Sequence, residues 1–488
     1  MKAELSTKTQ HLDHFIAGRY VSGSQGKTFD SINPATGKVL ATVALGTADD
    51  IDKAAQAAHE AFETGPWPRM SIKERADILH KVAALIMENK ERLALAETMD
   101  NGKPISESRD GDIPRAAKNF QFFAGYAQSL AEDSYSTTDS ERHIAMREPL
   151  GVAGLITPWN LPLYLATWKI APCLVMGNTC VLKPAEWTPF TAFLLAELMQ
   201  EAGVPEGVFN VVQGFGADGA GEALTRHPLV RSISFTGETS TGKAIMAAAS
   251  GTLKKVSFEL GGKGSNIIFD DADLKEALPT AIRAAFRNQG EICLAGSRLF
   301  VQRKIYSQVV EEMVARARQI KVGDPLDENT QMGALISKEH MEKVQSYIEI
   351  GKNEGKLLTG GERPKDLMHG NFLQPSIFTD LPFDSKFCQE EIFGPALPII
   401  PFDTEEEVIR MANSTPYGLS ASIWSQDVDR CHRLSKKLRT GLVWVNCWFA
   451  RDLRTPFGGQ KQSGVGREGG RYSLDFFTDY KTVTYKYK

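Results

Sequence analysis

Between Thr47 and Asp100 apolar residues recur every three or four positions, in TADDIDKAAQAAHEAFE and SIKERADILHKVAALIMENKERLALAETMD. Each run opens on Thr or Ser, so the spacing predicts amphipathic helices with capped starts. The period changes at Gly151. Short β-rich runs, GVAGLITP, NTCVLKP, VFNVVQG, RSISFTG and KKVSFEL, then alternate with helical stretches near 163–177, 188–203, 217–226 and 240–249. A helix after each strand predicts right-handed βαβ units and a parallel, doubly wound sheet of the nucleotide-binding kind.

After GGKGSN a second alternation begins with NIIFD, SRLFVQ, ALPIIPFD, LSASIWS and LVWVNC, with helices near 273–288 and 303–320. We therefore expect two Rossmann-like α/β domains, one from residues 1–127 and 149–260 and one from 261–446, with Gly261-Gly262 as the hinge. The closing DYKTVTYKYK alternates strictly and would leave an open edge, so it is expected to pair with another chain. The polar stretch 128–148 reads as a hairpin that could supply the complementary strands. No internal repeat or low-complexity linker interrupts this plan.

Composition narrows the function. Of 488 residues 42% are hydrophobic and 24% charged, which supports a sizeable core. Lys+Arg total 56 and Asp+Glu 60, a net of 56 − 60 = −4, which provides no broad cationic field for nucleic acid or anionic lipid. No stretch reaches the roughly 18 consecutive apolar residues of a membrane span, and MKAELSTKTQHLDHF lacks an apolar signal core, so a cytosolic protein is expected. Six cysteines form no CxxC pair and nine histidines no HExxH, so neither a disulfide framework nor a metal site is expected. Specific small-molecule binding is left as the better expectation.

Three residues stand out chemically. Cys293 in NQGEICLAGSR follows a helix and a glycine turn amid polar neighbours, a setting a buried filler does not need and a nucleophile does. Glu259 in FELGG sits at a strand end between Phe258 and Leu260, where partial desolvation would lift it towards a general base. Asn160 in ITPWN, at the tip of the first strand of the nucleotide-binding half, is either a turn former or a donor to a developing oxyanion. For the dinucleotide, GFGADG at 214–219 and FTGETSTG at 235–242 compete as phosphate loops. Lys183 and Glu186 in VLKPAEW lie where both can reach ribose hydroxyls, and Glu186 would repel a 2′-phosphate, favouring NAD over NADP.

Taken in order, ITPWN, VLKPAEWTP, FTGETSTG, FELGGK, NQGEICLAGSR, EEIFGP and PFGGQKQSGVGREGG resemble the NAD(P)-dependent aldehyde dehydrogenase superfamily from about Phe15 to Tyr487. The resemblance implies that fold, two doubly wound domains plus a small β oligomerisation element from 128–148 and 470–488, with 261–446 as catalytic domain and 447–469 lining the site. It implies Cys293 as nucleophile, Glu259 as base, Asn160 and the Cys293 N–H as oxyanion hole, and Glu468 as supporting carboxylate. NAD would be held by Ile156, Thr157, Pro158, Trp159, Lys183, Glu186, Gly216, Phe235, Gly237, Glu238, Leu260, Glu391 and Phe393, in a dimer or tetramer. One departure is GEIC, where most members have Gln in place of Glu291.

The runs DIPRAAKNFQFFA and CWFARDLRTPFGG are similar to those of the branch acting on muconic semialdehydes from aromatic-ring cleavage. That similarity implies Arg115 and Arg454, with Arg451, as a clamp for a distal substrate carboxylate, and Trp168 and Phe457 along the conjugated chain. The competing expectation is that the arginines pair with Asp112 and Asp452. A broad or betaine-type aldehyde dehydrogenase is the nearest enzymatic rival, and a non-catalytic structural or nucleotide-binding protein the rival of another class.

Overall fold

The computed structural model describes residues 10–488. The first nine residues, and with them most of the stretch read for a signal segment, lie outside the described residues. Helices Ala48–Glu63 and Ile72–Glu88 start where the caps predict, the first on Thr47 with Asp50 and the second on Ser71 with Glu74, each a reciprocal capping box.

The first large sheet runs in the order Gly464–Val465, Lys255–Glu259, Val230–Thr236, Val152–Ile156, Thr179–Lys183, Phe209–Val211, His14–Ile16, Arg19–Val21. Its five middle strands are parallel, and the flanking ones antiparallel. The chain starts at Val152–Ile156, winds to one side, and returns to the other with Val230–Thr236. The order therefore reverses beside the first strand, the place where doubly wound sheets bind ligands at strand carboxyl ends.

The second sheet has the order Lys356–Thr359, Ser376–Thr379, Ala396–Phe402, Arg298–Gln302, Ser265–Ile268, Ser420–Trp424, Leu442–Val445, all parallel except the first. The segments leading into these strands face the carboxyl ends of the first sheet: 261–264 before Ser265, 287–297 before Arg298 and 391–395 before Ala396. Residues from all three line one cavity with residues from the first sheet's loops.

The terminal strand Thr478–Lys486 differs from expectation. It pairs with Glu141–Pro149 of its own chain over nine residues, in a three-stranded sheet with Asp133–Thr138. Intrachain anchors explain this: Asn178 Nδ2 donates to Phe477 O at 2.8 Å, and Tyr487 N to Ser140 O at 2.7 Å. Gly261 and Gly262 likewise serve close approach. A Cβ on Gly261 would meet Glu391 Oε2 at 2.2 Å, and one on Gly262 would meet Cys293 O at 2.6 Å. Among the described residues no helix is long and apolar enough to cross a membrane.

Candidate active site

A cavity of 270 Å³ opens where the two sheets meet, lined on one side by Pro158, Trp159, Asn160, Gly237, Glu238, Glu259 and Leu260, and on the other by Cys293, Glu391 and Phe393. Residues separated by more than 130 positions are thus gathered on one wall-to-wall space. Leu165, Trp187, Thr236, Gly261, Glu339, His340 and Lys343 also line it and were missed in the sequence. His340 and Lys343 come from the helix Lys338–Glu354, whose periodicity gives no sign of which turn faces a ligand.

Cys293 is half-buried, as is Cys447, while the other four cysteines are buried. Burial pushes the Cys293 thiol up to about 12, and the negative charges of Glu391 and Glu259 push in the same direction. The resting group is a thiol. Glu259 is 4% exposed and both carboxylate oxygens lack a protein partner. Its pKa lies well above the carboxylate range, first through burial and then through the charge of Glu468. An unpartnered buried carboxyl on a cavity wall is rare and fits a group whose partner is a water or a substrate. Gly458, with φ +150°, lies so close that a Cβ there would meet Glu259 Oε1 at 2.8 Å.

Asn160 is fixed from two sides. Its Nδ2 donates one hydrogen to Glu291 O at 2.8 Å, and no protein group takes the second. Its main-chain oxygen accepts from Lys103 Nζ at 2.9 Å, a buried ammonium that also pairs with Asp112 at 2.7 Å and Glu97 at 3.2 Å. The remaining Asn160 N–H and the Cys293 N–H, which donates to no main-chain oxygen, are a pair of donors beside the thiol.

Glu468 sits behind Glu259 and accepts from Lys169 Nζ and Trp168 Nε1, both at 2.7 Å. Trp168 therefore does not line the cavity. It is 1% exposed, and its ring face carries the Arg451 guanidinium at 4.2 Å, while Phe457 carries it on the other side at 4.0 Å. Arg451 Nη1 donates to Tyr164 Oη at 3.1 Å, and Nη2 is buried without a partner. Arg115 lies over the Tyr164 ring at 5.4 Å, with Nε and Nη2 also buried and unpartnered. Two guanidinium groups thus converge on Tyr164 with donors to spare, and the charge of Arg451 reaches both Cys293 and Glu259.

Arg454 does not join them, which corrects the expectation for that residue. Its side chain is 70% exposed and forks onto Asp452, with Nη2 at 2.6 Å from Oδ2 and Nε at 3.0 Å from Oδ1. In the turn 451–455 the side chain of Arg451 points inward and that of Arg454 outward, so the structural ion pair claims Arg454. Arg115 escapes the corresponding pairing because Lys103 holds Asp112.

The cofactor side is built from several loops. Lys183 Nζ donates to Gly214 O at 2.8 Å and to Glu186 Oε2 at 3.2 Å, presenting an ammonium and a part-exposed carboxylate beyond the strand end. Gly237 passes over the Phe235 ring, where a Cβ would come within 2.4 Å, and leads into the 11-residue helix Thr239–Ala249. Glu391 accepts from Gly262 N at 2.7 Å through Oε1, and burial raises its carboxyl to about 7. Trp159, His340 and Phe393 meet edge to face within 6.2 Å around the entrance. Ile156, Thr157 and Phe235 are buried behind this surface. Gly216 is not among the lining residues; its carbonyl accepts from Glu222 N at 2.9 Å at the start of the next helix. A lysine and glutamate pair for ribose hydroxyls, a glycine-guided helix start for phosphate and an aromatic entrance fit a dinucleotide.

Comparison with known proteins agrees with this geometry. Residues 20–483 match the model of the aldehyde dehydrogenase family. The chain is 48% identical to 2-hydroxymuconic semialdehyde dehydrogenase of Pseudomonas sp. (strain CF600), over 98% of this chain and 100% of that one. It is 47% identical to 2-aminomuconic semialdehyde dehydrogenase of Mus musculus, over 98% of each. An NAD+ complex of aldehyde dehydrogenase from Bacillus cereus superposes with a TM-score of 0.96 at 44% identity, over 98% of this chain and 97% of that one.

Proposed function

The chain belongs to the aldehyde dehydrogenase family, and within it we propose that this protein oxidises a carboxylated, muconic-type semialdehyde to the corresponding dicarboxylic acid with NAD. The observation that carries the substrate class is the pair Arg115 and Arg451, whose buried, unpartnered N–H groups converge at Tyr164 within electrostatic reach of Cys293. Buried guanidinium donors without a partner are costly unless a ligand satisfies them. A planar carboxylate is the ligand that matches their geometry. The names of the relatives point to the same substrate class.

The chemistry follows from the residues. Cys293 releases its thiol proton to water as Sγ adds to the aldehyde carbon, and the developing alkoxide accepts from the free Asn160 N–H and the Cys293 N–H. Lys183, Glu186, Gly237 and Glu391 would hold NAD, which would supply the acceptor for a hydride from that carbon; loss of the hydride leaves an acyl thioester on Cys293. Glu259 then takes a proton from the water that attacks the thioester, which breaks the C–S bond and releases the acid. Glu468, held by Lys169 and Trp168, keeps a negative charge behind Glu259 and so preserves its basicity. On the same reading the enzyme works in the cytosol as a homo-oligomer built through the sheet that ends in Thr478–Lys486.

The test is NAD reduction with a carboxylated semialdehyde and with an uncharged aldehyde of equal length. The carboxylated substrate should have the higher kcat/KM, and Cys293→Ala should abolish turnover while leaving NAD binding in place. Equal kcat/KM for the two aldehydes would defeat the substrate assignment, and turnover in the Cys293→Ala enzyme would defeat the mechanism.

A further inference from the structure

Three consecutive residues before the nucleophile, Asn288, Gln289 and Gly290, have φ of +48°, +56° and +75°. Two of them are not glycine, so the left-handed conformation is disfavoured and something must over-determine it. Side chains do so. Asn288 Nδ2 donates to Asn160 O and Glu291 O, each at 3.2 Å. Gln289 accepts from Gly333 N and donates to Ala334 O, each at 3.2 Å. Glu291 Oε1 accepts from Ile336 N at 3.1 Å, and its Oε2 lies 3.4 Å from Gln289 Nε2. All three side chains are fully buried.

Glu291 differs from the other two in contacting the side chain of Asn160, where Asn288 reaches only main-chain oxygens. Its main-chain oxygen accepts the Asn160 Nδ2 hydrogen at 2.8 Å, which sets the rotation of the Asn160 amide. We propose that Glu291 is a positioning residue. Its carboxyl, tied to the Ile336 N–H, holds the carbonyl that turns the free Asn160 N–H towards the reacting oxygen. This rests on the assignment of Asn160 as oxyanion donor. Burial pushes the Glu291 carboxyl well above the usual range, towards the neutral form of which glutamine is the isostere. His340 Nε2, 3.6 Å from Glu291 Oε1, is already engaged by Phe393 O at 2.7 Å, which leaves Ile336 N on Oε1 and the longer contact of Gln289 Nε2 on Oε2 as the anchors.

The test compares Glu291→Ala, Glu291→Gln, Asn160→Ala and the double variant Asn160→Ala/Glu291→Ala in steady-state rate, NAD binding and melting. Glu291→Ala should lose at least tenfold in kcat with the Kd for NAD within twofold. Glu291→Gln should recover at least a third of the parental kcat, because its Oε1 accepts the same N–H. The double variant should be no slower than Asn160→Ala alone, since Glu291 acts through that amide. Should Glu291→Ala fail to fold, Glu291→Asp takes its place, with the same chemistry at a shorter reach and a reduced rate expected. Losses that multiply in the double variant, or a Glu291→Gln enzyme as slow as the shortened one, would overturn the proposal while leaving the oxyanion assignment standing. A parental rate in Asn160→Ala would overturn both.

Discussion

Replacing Arg451 by Met keeps the aliphatic stem between Trp168 and Phe457 and removes the guanidinium. In the parent that group has one hydrogen bond, to Tyr164, and one buried nitrogen with no protein partner. For a carboxylated semialdehyde the loss is one charge-assisted contact in a desolvated setting, about 2–4 kcal/mol. At about 1.4 kcal/mol per decade this is a fall in kcat/KM of roughly 30-fold to nearly 1,000-fold. An uncharged aldehyde of the same length loses only the general effect of the Arg451 charge on Cys293 and Glu259, which both substrates share. The quantity to measure is therefore the ratio of the two kcat/KM values, read by NAD reduction. It should collapse in Arg451→Met and stay at the parental value in Arg454→Ala, whose side chain is turned to Asp452 and solvent. A ratio unchanged by Arg451→Met, or one that moves with Arg454, would refute the clamp.

Two further outcomes can be checked with the same reagents. Glu259→Gln should let the first turnover proceed and stall the second step, so that rapid mass measurement finds acyl-enzyme on Cys293; an enzyme free of adduct at a lowered steady-state rate counts against Glu259 as the deacylation base. Glu186 facing the ribose should give NAD at least about a tenfold advantage over NADP in kcat/KM, and Glu186→Gln should narrow it by removing the like-charge repulsion; equal use of both cofactors by the parent rejects that role.

Short-range signals carried much of this site. Cys293, Glu259 and Asn160 each follow a turn or strand end whose chemistry is readable locally, and the βαβ alternation was enough to predict both doubly wound sheets. Facing was not readable. RDLRTPFGG offers two arginines three positions apart in an irregular turn, and no period says that Arg451 packs inward on Trp168 while Arg454 folds onto Asp452. The same gap hid Lys103, which takes Asp112 and so leaves Arg115 free. The edge of DYKTVTYKYK was legible as an edge, but its partner depends on the anchor between Asn178 and Phe477, 299 positions apart. His340 reaches the cavity only because the helix after Ser337 is packed with that turn inward.

The raised pKa of Glu259 and the position of Arg451 also make substrate binding and base strength interdependent. In the free enzyme the positive charge of Arg451 partly offsets the burial and the Glu468 charge that raise Glu259. A substrate carboxylate on Arg451 neutralises that offset, so the Glu259 pKa in the complex must lie higher than in the free enzyme. The base works only when deprotonated, so its rate falls as pH drops below that pKa, and the fall begins at higher pH in the complex. Glu259 acts in deacylation, so its limb appears in kcat, and the acid limb of kcat should sit at higher pH for a carboxylated aldehyde than for an uncharged aldehyde of the same length, which leaves the charge of Arg451 unopposed. Coincident kcat limbs for the two substrates would mean that no carboxylate reaches Arg451, even if the carboxylated aldehyde is the faster of the two.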